Sequence, residues 1–309
     1  MENPQNMSTQ QILRTPASDL VPDPKTPFVD VNGVFDDALD YIVPGDIPVQ
    51  NLLFNSKHGL GKTLLCAHLI KKLGEKLGLA VPLVTFDCSE DTREWDLIGM
   101  PTVLPDGSTA FQLGPFPLAI DLANEVGCAA LLLEEISALP PGAQKVCNRM
   151  TDWRNGIYVA PVGQMFRLNS GATLIVLATM NPSAYGGVYS LNQDLRSRFG
   201  EEKLDPPTRA QMEKILKKVC PWAKPALVKQ VAQLSEETQA ESLEYSLSTR
   251  DMVQLLQKIQ RKKGKLESPL RQVMHKFEGT EMNTVADRID GIFATRLKSN
   301  VPGRRASHV

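Results

Sequence analysis

The stretch LLFNSKHGLGKTLLCAHLIKKLGEKL, residues 52–77, constrains this chain more than any other. An apolar run, a glycine-bearing loop and an amphipathic helix follow one another without a spacer. Gly59 and Gly61 permit a backbone curl in which successive N–H groups point inward. The helix leaving the loop adds the partial positive charge of its N-terminus. Such a cradle accepts phosphate oxygens, and it works only where a strand feeds the loop and a helix leaves it. Ser56, Lys57, His58, Gly59, Leu60, Gly61, Lys62, Thr63 and Leu64 are the expected contacts, with Lys62 reaching the β- and γ-phosphates and Thr63 ligating Mg²⁺. The usual pattern GxxxxGK[ST] begins with glycine; Ser56 stands there in this sequence, while Gly61-Lys62-Thr63 is intact.

The texture around this loop sets the fold class. Short apolar runs recur at 52–55, 82–87, 129–133 and 173–179, with little polar alternation. That is how strands buried on both faces of a parallel sheet read. Helical stretches at 63–77 and 117–126 lie between them, so a three-layer αβα domain with right-handed crossovers is expected. After Pro206-Pro207 the spacing turns helical throughout. Five helices are expected, one opened by Pro225, one capped by Ser248 or Thr249, and one started by a Ser268 cap with Pro269 in its first turn. The expected domains are an N-terminal arm over 1–45, the αβα core over 46–206, a helical lid over 207–297 and a flexible tail over 298–309.

Two further strand ends carry chemistry. ALLLEEI at 130–136 ends in adjacent carboxylates: Glu134, expected to hold Mg²⁺, and Glu135, expected to take the proton of an attacking water. TLIVLATMNP at 173–182 ends at Asn181, whose amide can orient that water. LRSRF at 195–199 offers Arg196 and Arg198, and SLSTRDM at 246–252 puts Arg250 in a first helical turn, where a cation opposes the helix dipole unless an anion lies near.

The same order of motifs resembles an AAA+ ATPase over roughly residues 45–295. Two stretches narrow the likeness to the MoxR, CbbQ/NorQ and CobS-like, dynein-related branch. The segment 96–116, with an Asp106-Gly107 turn and FQLGPF, is similar to that branch's insert in helix 2; WRNGIYVAPVGQMFRL, 153–168, is similar to its hairpin before the sensor strand. The resemblance implies a Walker A site at Lys62 and Thr63, a Walker B pair at Glu134 and Glu135, and a first sensor at Asn181. It further implies an arginine finger at Arg198, or alternatively at Arg196, and a second sensor at Arg250. Glu134 stands where the family has Asp, which implies slower turnover. ATP and Mg²⁺ are the implied ligands, and a homo-oligomeric, hexameric ring the implied assembly. The implied work is remodelling of a client or adaptor protein, often one bearing a von Willebrand A domain. A nucleic-acid motor of the McrB-like kind and a slow nucleotide-gated scaffold are the alternatives. Phe111 and Phe116, on what is expected to be an exposed hairpin, are candidate client contacts, with simple hairpin packing as the other reading.

Composition trims these alternatives. Lys+Arg is 34 against Asp+Glu 35, so no global basic field exists to grip nucleic acid. The basic stretches RKKGK at 261–265 and Arg304-Arg305 are expected to be solvated. Five cysteines without a CxxC pair and four histidines without HxxxH or HExxH spacing point to buried thiols in a reducing compartment, not to disulfides or zinc. The polar N-terminus lacks an apolar leader and no run is long enough to span a bilayer, so a cytoplasmic protein with no membrane partner is expected.

Overall fold

A computed structural model of the chain describes residues 11–31, 33–45, 49–152, 156–182, 189–239, 243, 245–295 and 297. The chain divides into two compact units that are interleaved in sequence. A core unit draws on 1–25, 32–56 and 62–204, and a helical unit on 26–31, 57–61 and 205–309. The expected tail at 298–309 with Arg304-Arg305, the first ten residues, and 153–155 of the second hairpin lie outside the described residues.

In the core unit, β1 (Gln11–Leu13) and α1 (Val34–Ile42) precede β2 (Leu52–Asn55), which leads to α2 (Lys62–Leu77). Then come β3 (Leu83–Asp87), α3 (Glu94–Ile98), the hairpin strands β4 (Gly99–Val103) and β5 (Thr109–Leu113), and α4 (Pro115–Val126). The remainder is β6 (Cys128–Glu134), α5 (Pro141–Met150), β7 (Gly156–Val159), β8 (Gln164–Arg167), β9 (Thr173–Met180), α6 (Gln193–Arg196) and β10 (Gly200–Lys203). The main sheet has the order β10-β2-β9-β6-β3 and is parallel throughout. Its central strands are apolar on both faces: Leu52 to Phe54, Ala129 to Leu133 and Ile175 to Ala178 are buried. Each large aliphatic or aromatic side chain so buried contributes about 1.5–3 kcal/mol. The expected αβα class is what the chain adopts.

Helix α4 shows why the local sequence obeys this plan. Pro115 occupies its first turn, where a missing N–H costs nothing, and Gly127 at φ 95° ends it in the left-handed region that a side chain would oppose. Between them Phe116, Leu118, Ala119, Ile120, Leu122 and Ala123 are buried against the sheet. Strands β4 and β5 pair antiparallel between α3 and α4, as an insert within the helical layer.

Four differences from the sequence reading stand out. The stretch read as an arm contains α1, whose Ala38, Leu39 and Ile42 are buried while Asp36, Asp37 and Asp40 mask the period. The same stretch contributes β1, parallel to β5 with Ile12 opposite Phe111. The edge strand β10, Gly-Glu-Glu-Lys, carries no apolar signal because its backbone pairing with β2 and the polar Asn55–Glu201 contact hold it. The fourth is a correction: Phe111 and Phe116 are not exposed client contacts. Both are fully buried in the core cluster, and the large hydrophobic residues that the hairpin exposes are Met100 and Val103.

The helical unit contains α7 (Arg209–Val219), α8 (Pro225–Thr238), α9 (Thr249–Arg261), α10 (Glu267–Met274) and α11 (Gly279–Phe293) around its own core of Met212, Leu216, Leu255, Leu256, Phe277 and Ile289. Thr208 with Gln211 and Ser248 with Asp251 form capping boxes at α7 and α9, each satisfying two backbone N–H groups. Helix α10 starts one residue before the expected cap, so Ser268 lies inside the first turn and Leu266 is the N-cap. The RKKGK stretch is exposed along its length. Among the described residues no helix is long and apolar enough to cross a membrane.

Candidate nucleotide site

Strands β2, β9 and β6 are adjacent and parallel, so their carboxyl ends open at one edge of the sheet. That edge is where open α/β sheets place ligands. Ser56 leaves β2, Asn181 leaves β9, and Glu134 and Glu135 end β6. Three sequence motifs far apart along the chain thus converge through strand order alone.

The side chains are linked. Lys62 is buried, and its Nζ donates to the Ser56 carbonyl at 2.7 Å, to Ser56 Oγ at 3.3 Å and to Asn181 Oδ1 at 2.9 Å. Asn181 Nδ2 in turn donates to Glu135 Oε1 at 3.5 Å. Asn181 therefore stands between the lysine and the expected base. Beside them Thr63 donates its hydroxyl proton to Glu134 Oε2. A hydroxyl and a carboxylate oxygen meeting at one point are two hard ligands. Mg²⁺ characteristically takes one or two such protein ligands and completes its shell with water and phosphate. Among the described residues no cluster of three or more His, Cys, Asp or Glu could hold a metal unaided. The donor set fits Mg²⁺ that arrives with phosphates.

Glu135 has φ 53°, one of only three described non-glycine residues at positive φ. Holding such a conformation costs on the order of 1–3 kcal/mol and persists only where the surroundings enforce it. Here Thr179 Oγ1, buried inside β9, accepts the Glu135 N–H at 3.1 Å. Thr179 was not singled out in the sequence, although a hydroxyl at the far end of the apolar run Leu174–Ala178 is the signal that could have found it.

The loop residues 57–61 cluster with the helical unit. Gly59 and Gly61 have φ 76° and 92°, as a phosphate-binding curl requires. A Cβ on Gly59 would also meet Ser248 Oγ at 2.3 Å, so two independent demands select glycine there. Arg250 is exposed in the first turn of α9, and its backbone N–H donates to the Gly59 carbonyl at 3.2 Å.

The two candidate finger arginines differ. Arg196 makes a two-nitrogen contact with Glu201 Oε2, at 2.9 Å from Nε and 2.5 Å from Nη2. Burial pushes the Glu201 carboxyl up, but hydrogen bonds from Asn55 and Arg196 outweigh it and hold it below the usual carboxylate range. Arg198 donates through Nη2 to Asp194 Oδ1 at 3.2 Å, its backbone carbonyl accepts from Asn51, and its buried Nε has no hydrogen-bond partner among the described residues.

A parallel sheet of this order, a glycine loop between its second strand and a helix, and paired acids on a neighbouring strand are the features of a P-loop fold of the AAA type. Residues 51–199 match the AAA domain (dynein-related subfamily). Among solved structures, a putative ATPase from Cytophaga hutchinsonii is similar at 17% identity, covering 72% of this chain and 71% of that one, with a TM-score of 0.45. The RuvB Holliday junction branch migration motor of Thermotoga maritima is similar at 14% identity, covering 85% and 76%, with a TM-score of 0.49.

Proposed function

We propose that the protein is an ATP-hydrolysing, ring-forming remodelling motor of the MoxR-like kind, acting on a partner protein. The observation that carries the hydrolytic part is the linked set Lys62–Asn181–Glu135 beside Thr63–Glu134. In this reading Lys62 exchanges its Ser56 and Asn181 acceptors for phosphate oxygens. Thr63 and Glu134 hold Mg²⁺, which when bound neutralises charge on the phosphates. Glu135 takes a proton from water as the water oxygen bonds to the γ-phosphorus and the bond to the leaving oxygen breaks, giving ADP and phosphate. Asn181 holds the Glu135 carboxylate and the water in register. Arg250 is the sensor of nucleotide state in the helical unit.

Arg198 is the proposed finger for a neighbouring subunit. Its Nε is buried and, among the described residues, has no hydrogen-bond partner, whereas the Nε of Arg196 is already committed to Glu201. A trans-acting arginine makes the ring a requirement for hydrolysis. The client contact moves from the buried phenylalanines to the second hairpin. Tyr158 and Met165 are directly opposite in the β7–β8 register and each is 50% exposed. A cross-strand apolar pair left in water suits an unfolded or extended polypeptide.

Glu135→Gln with Lys62→Ala tests the site. The first is expected to bind ATP and to lose hydrolysis by at least 100-fold; the second is expected to lose binding, because the loop forfeits its one buried cation. Steady-state phosphate release and calorimetric ATP titration read both. Turnover like that of the unmodified protein in either variant refutes the assignment. One feature favours a second reading, a slow nucleotide-gated scaffold. Glu134 is one methylene longer than the usual Asp and already reaches Thr63. A single-turnover rate far below the rate of partner assembly would select it.

A further inference from the structure

The glycine loop has a second support, built around Asp251 in the helical unit. Asp251 is the third residue of α9 and is almost wholly buried. Its Oδ2 accepts from the Ser248 N–H at 2.8 Å, from Ser248 Oγ at 2.7 Å and from Tyr245 Oη at 3.0 Å. Its Oδ1 is paired with Lys276 Nζ. A carboxylate this buried costs several kcal/mol unless it is paired and hydrogen-bonded, and here both oxygens are engaged. Burial would push the Asp251 carboxyl up, yet the bonds from Lys276 and Ser248 hold it below the usual range.

The groups that Asp251 fixes are the ones that grip the loop. Ser248 packs so closely on Gly59 that no side chain fits between them. The Arg250 N–H, next to Asp251 in the chain, donates to the Gly59 carbonyl. The Tyr245 ring lies 5.7 Å from the His58 ring and is braced from behind by Phe277 at 5.6 Å, edge to face. Lys276 lies over the same Tyr245 ring at 6.0 Å. A capping box alone needs only Ser248 and Asp251. The recruitment of Tyr245 and Lys276 to one carboxylate joins the cap to both sides of the loop, at His58 and at Gly59.

We infer that Asp251 is a positioning residue for the nucleotide loop, setting the shape of residues 58–59 through Ser248, Arg250 and Tyr245 without touching nucleotide itself. This rests on the reading of 56–63 as the nucleotide loop. Its consequence is thermodynamic: a loop that must be held in its binding shape binds with an affinity reduced by the fraction of time it is not held. If replacing Asp251 lets the loop occupy that shape one-tenth of the time, the apparent dissociation constant rises tenfold.

The test uses the full chain with Mg²⁺-ADP as the calorimetric probe and ATP for turnover. Asp251→Asn keeps the size of the side chain and loses the charge. Tyr245→Phe keeps the ring and removes one bond. Arg271→Ala, an exposed residue on α10 in the same unit, is the control. Asp251→Asn is expected to weaken Mg²⁺-ADP binding at least tenfold and raise the KM for ATP equally, while kcat changes less than threefold. Tyr245→Phe is expected to weaken binding three- to tenfold. Exchange of the Arg250 amide hydrogen is expected to speed up in both. A lowered melting temperature with unchanged or tighter nucleotide binding at a temperature where the protein is folded would reduce Asp251 to a helix cap and overturn the proposal. If Asp251→Asn does not fold, Tyr245→Phe decides alone, and unchanged affinity there overturns it. If the unmodified protein fails to bind Mg²⁺-ADP, the nucleotide-loop reading falls, and this inference falls with it.

Discussion

Phe111 and Phe116 distinguish a working surface from a packed core by a measurement of stability. Both side chains are fully buried. Phe111 lies on the middle strand of the β1–β5–β4 sheet, opposite Ile12, and a Cβ added to Gly99 would come within 2.8 Å of its ring. Backbone held that close cannot collapse into the space a missing ring would leave, so truncation leaves a cavity. Phe→Ala in such settings costs about 3–5 kcal/mol. For a unit of 150–250 residues each kcal/mol moves the melting temperature by about 2–4 °C, so either single variant is expected to melt about 6–20 °C lower. Phe116 belongs to the same cluster, so the double variant will not be the simple sum, yet it removes most of a typical 5–15 kcal/mol total. Tyr158→Ala and Met165→Ala serve as comparison, since exposed positions normally stay within about 0.5 kcal/mol. Thermal unfolding followed by circular dichroism is the assay. A Phe111→Ala protein melting within about 2 °C of the original would refute the packing reasoning and return Phe111 to the list of contacts available to a client.

Two further outcomes are expected. Arg198→Ala should bind ATP and hydrolyse it at most at one-thousandth of the original rate, and co-assembly with Lys62→Ala should restore part of the activity; no recovery in mixed assemblies would transfer the role to Arg196. All five cysteines are buried and free, and burial pushes the Cys147 thiol up to about 12 and the Cys128 thiol up to about 11, so at pH 8 a colorimetric thiol reagent should label none before unfolding; rapid labelling of even one in the folded protein would contradict this.

Much of the core was legible because its strands are apolar on both faces and so announce themselves without knowledge of their neighbours. The runs at 52–55 and 173–179 coincide with β2 and, to within a residue, β9. Glu134, Glu135 and Asn181 came into view because each lies at the end of such a run, and Lys62 and Thr63 because the glycine loop after the first run leads to them. Elements whose stabilisation comes from a partner were not. β10 is held by backbone pairing with β2, and β1 by pairing with β5 and by Arg14 bridging Asp121 and Glu125 at 2.7 and 2.5 Å, contacts between distant parts of the sequence that leave no local period. The phenylalanines misled because their spacing around Gly114-Pro115 describes a hairpin end equally well whether it faces inward or outward. Asp251 was hidden for another reason: a charged residue at the third position of a helix reads as an ordinary solvated cap, and only tertiary structure shows that it is enclosed.

The interleaving of the two units sets a limit on dividing the gene. A fragment starting at residue 205 encodes all five helices of the helical unit and is still incomplete. Gln211 Nε2 would lack the Val31 carbonyl it donates to at 2.7 Å, and the Arg250 N–H would lack the Gly59 carbonyl. The complementary fragment, ending at 204, would carry 26–31 and 57–61 with nothing of their own unit to pack on. No single cut yields two self-sufficient pieces. A split form of the protein would therefore depend on reassociation of its halves, and a limited-proteolysis product beginning near residue 205 should stay bound to its N-terminal companion until both unfold.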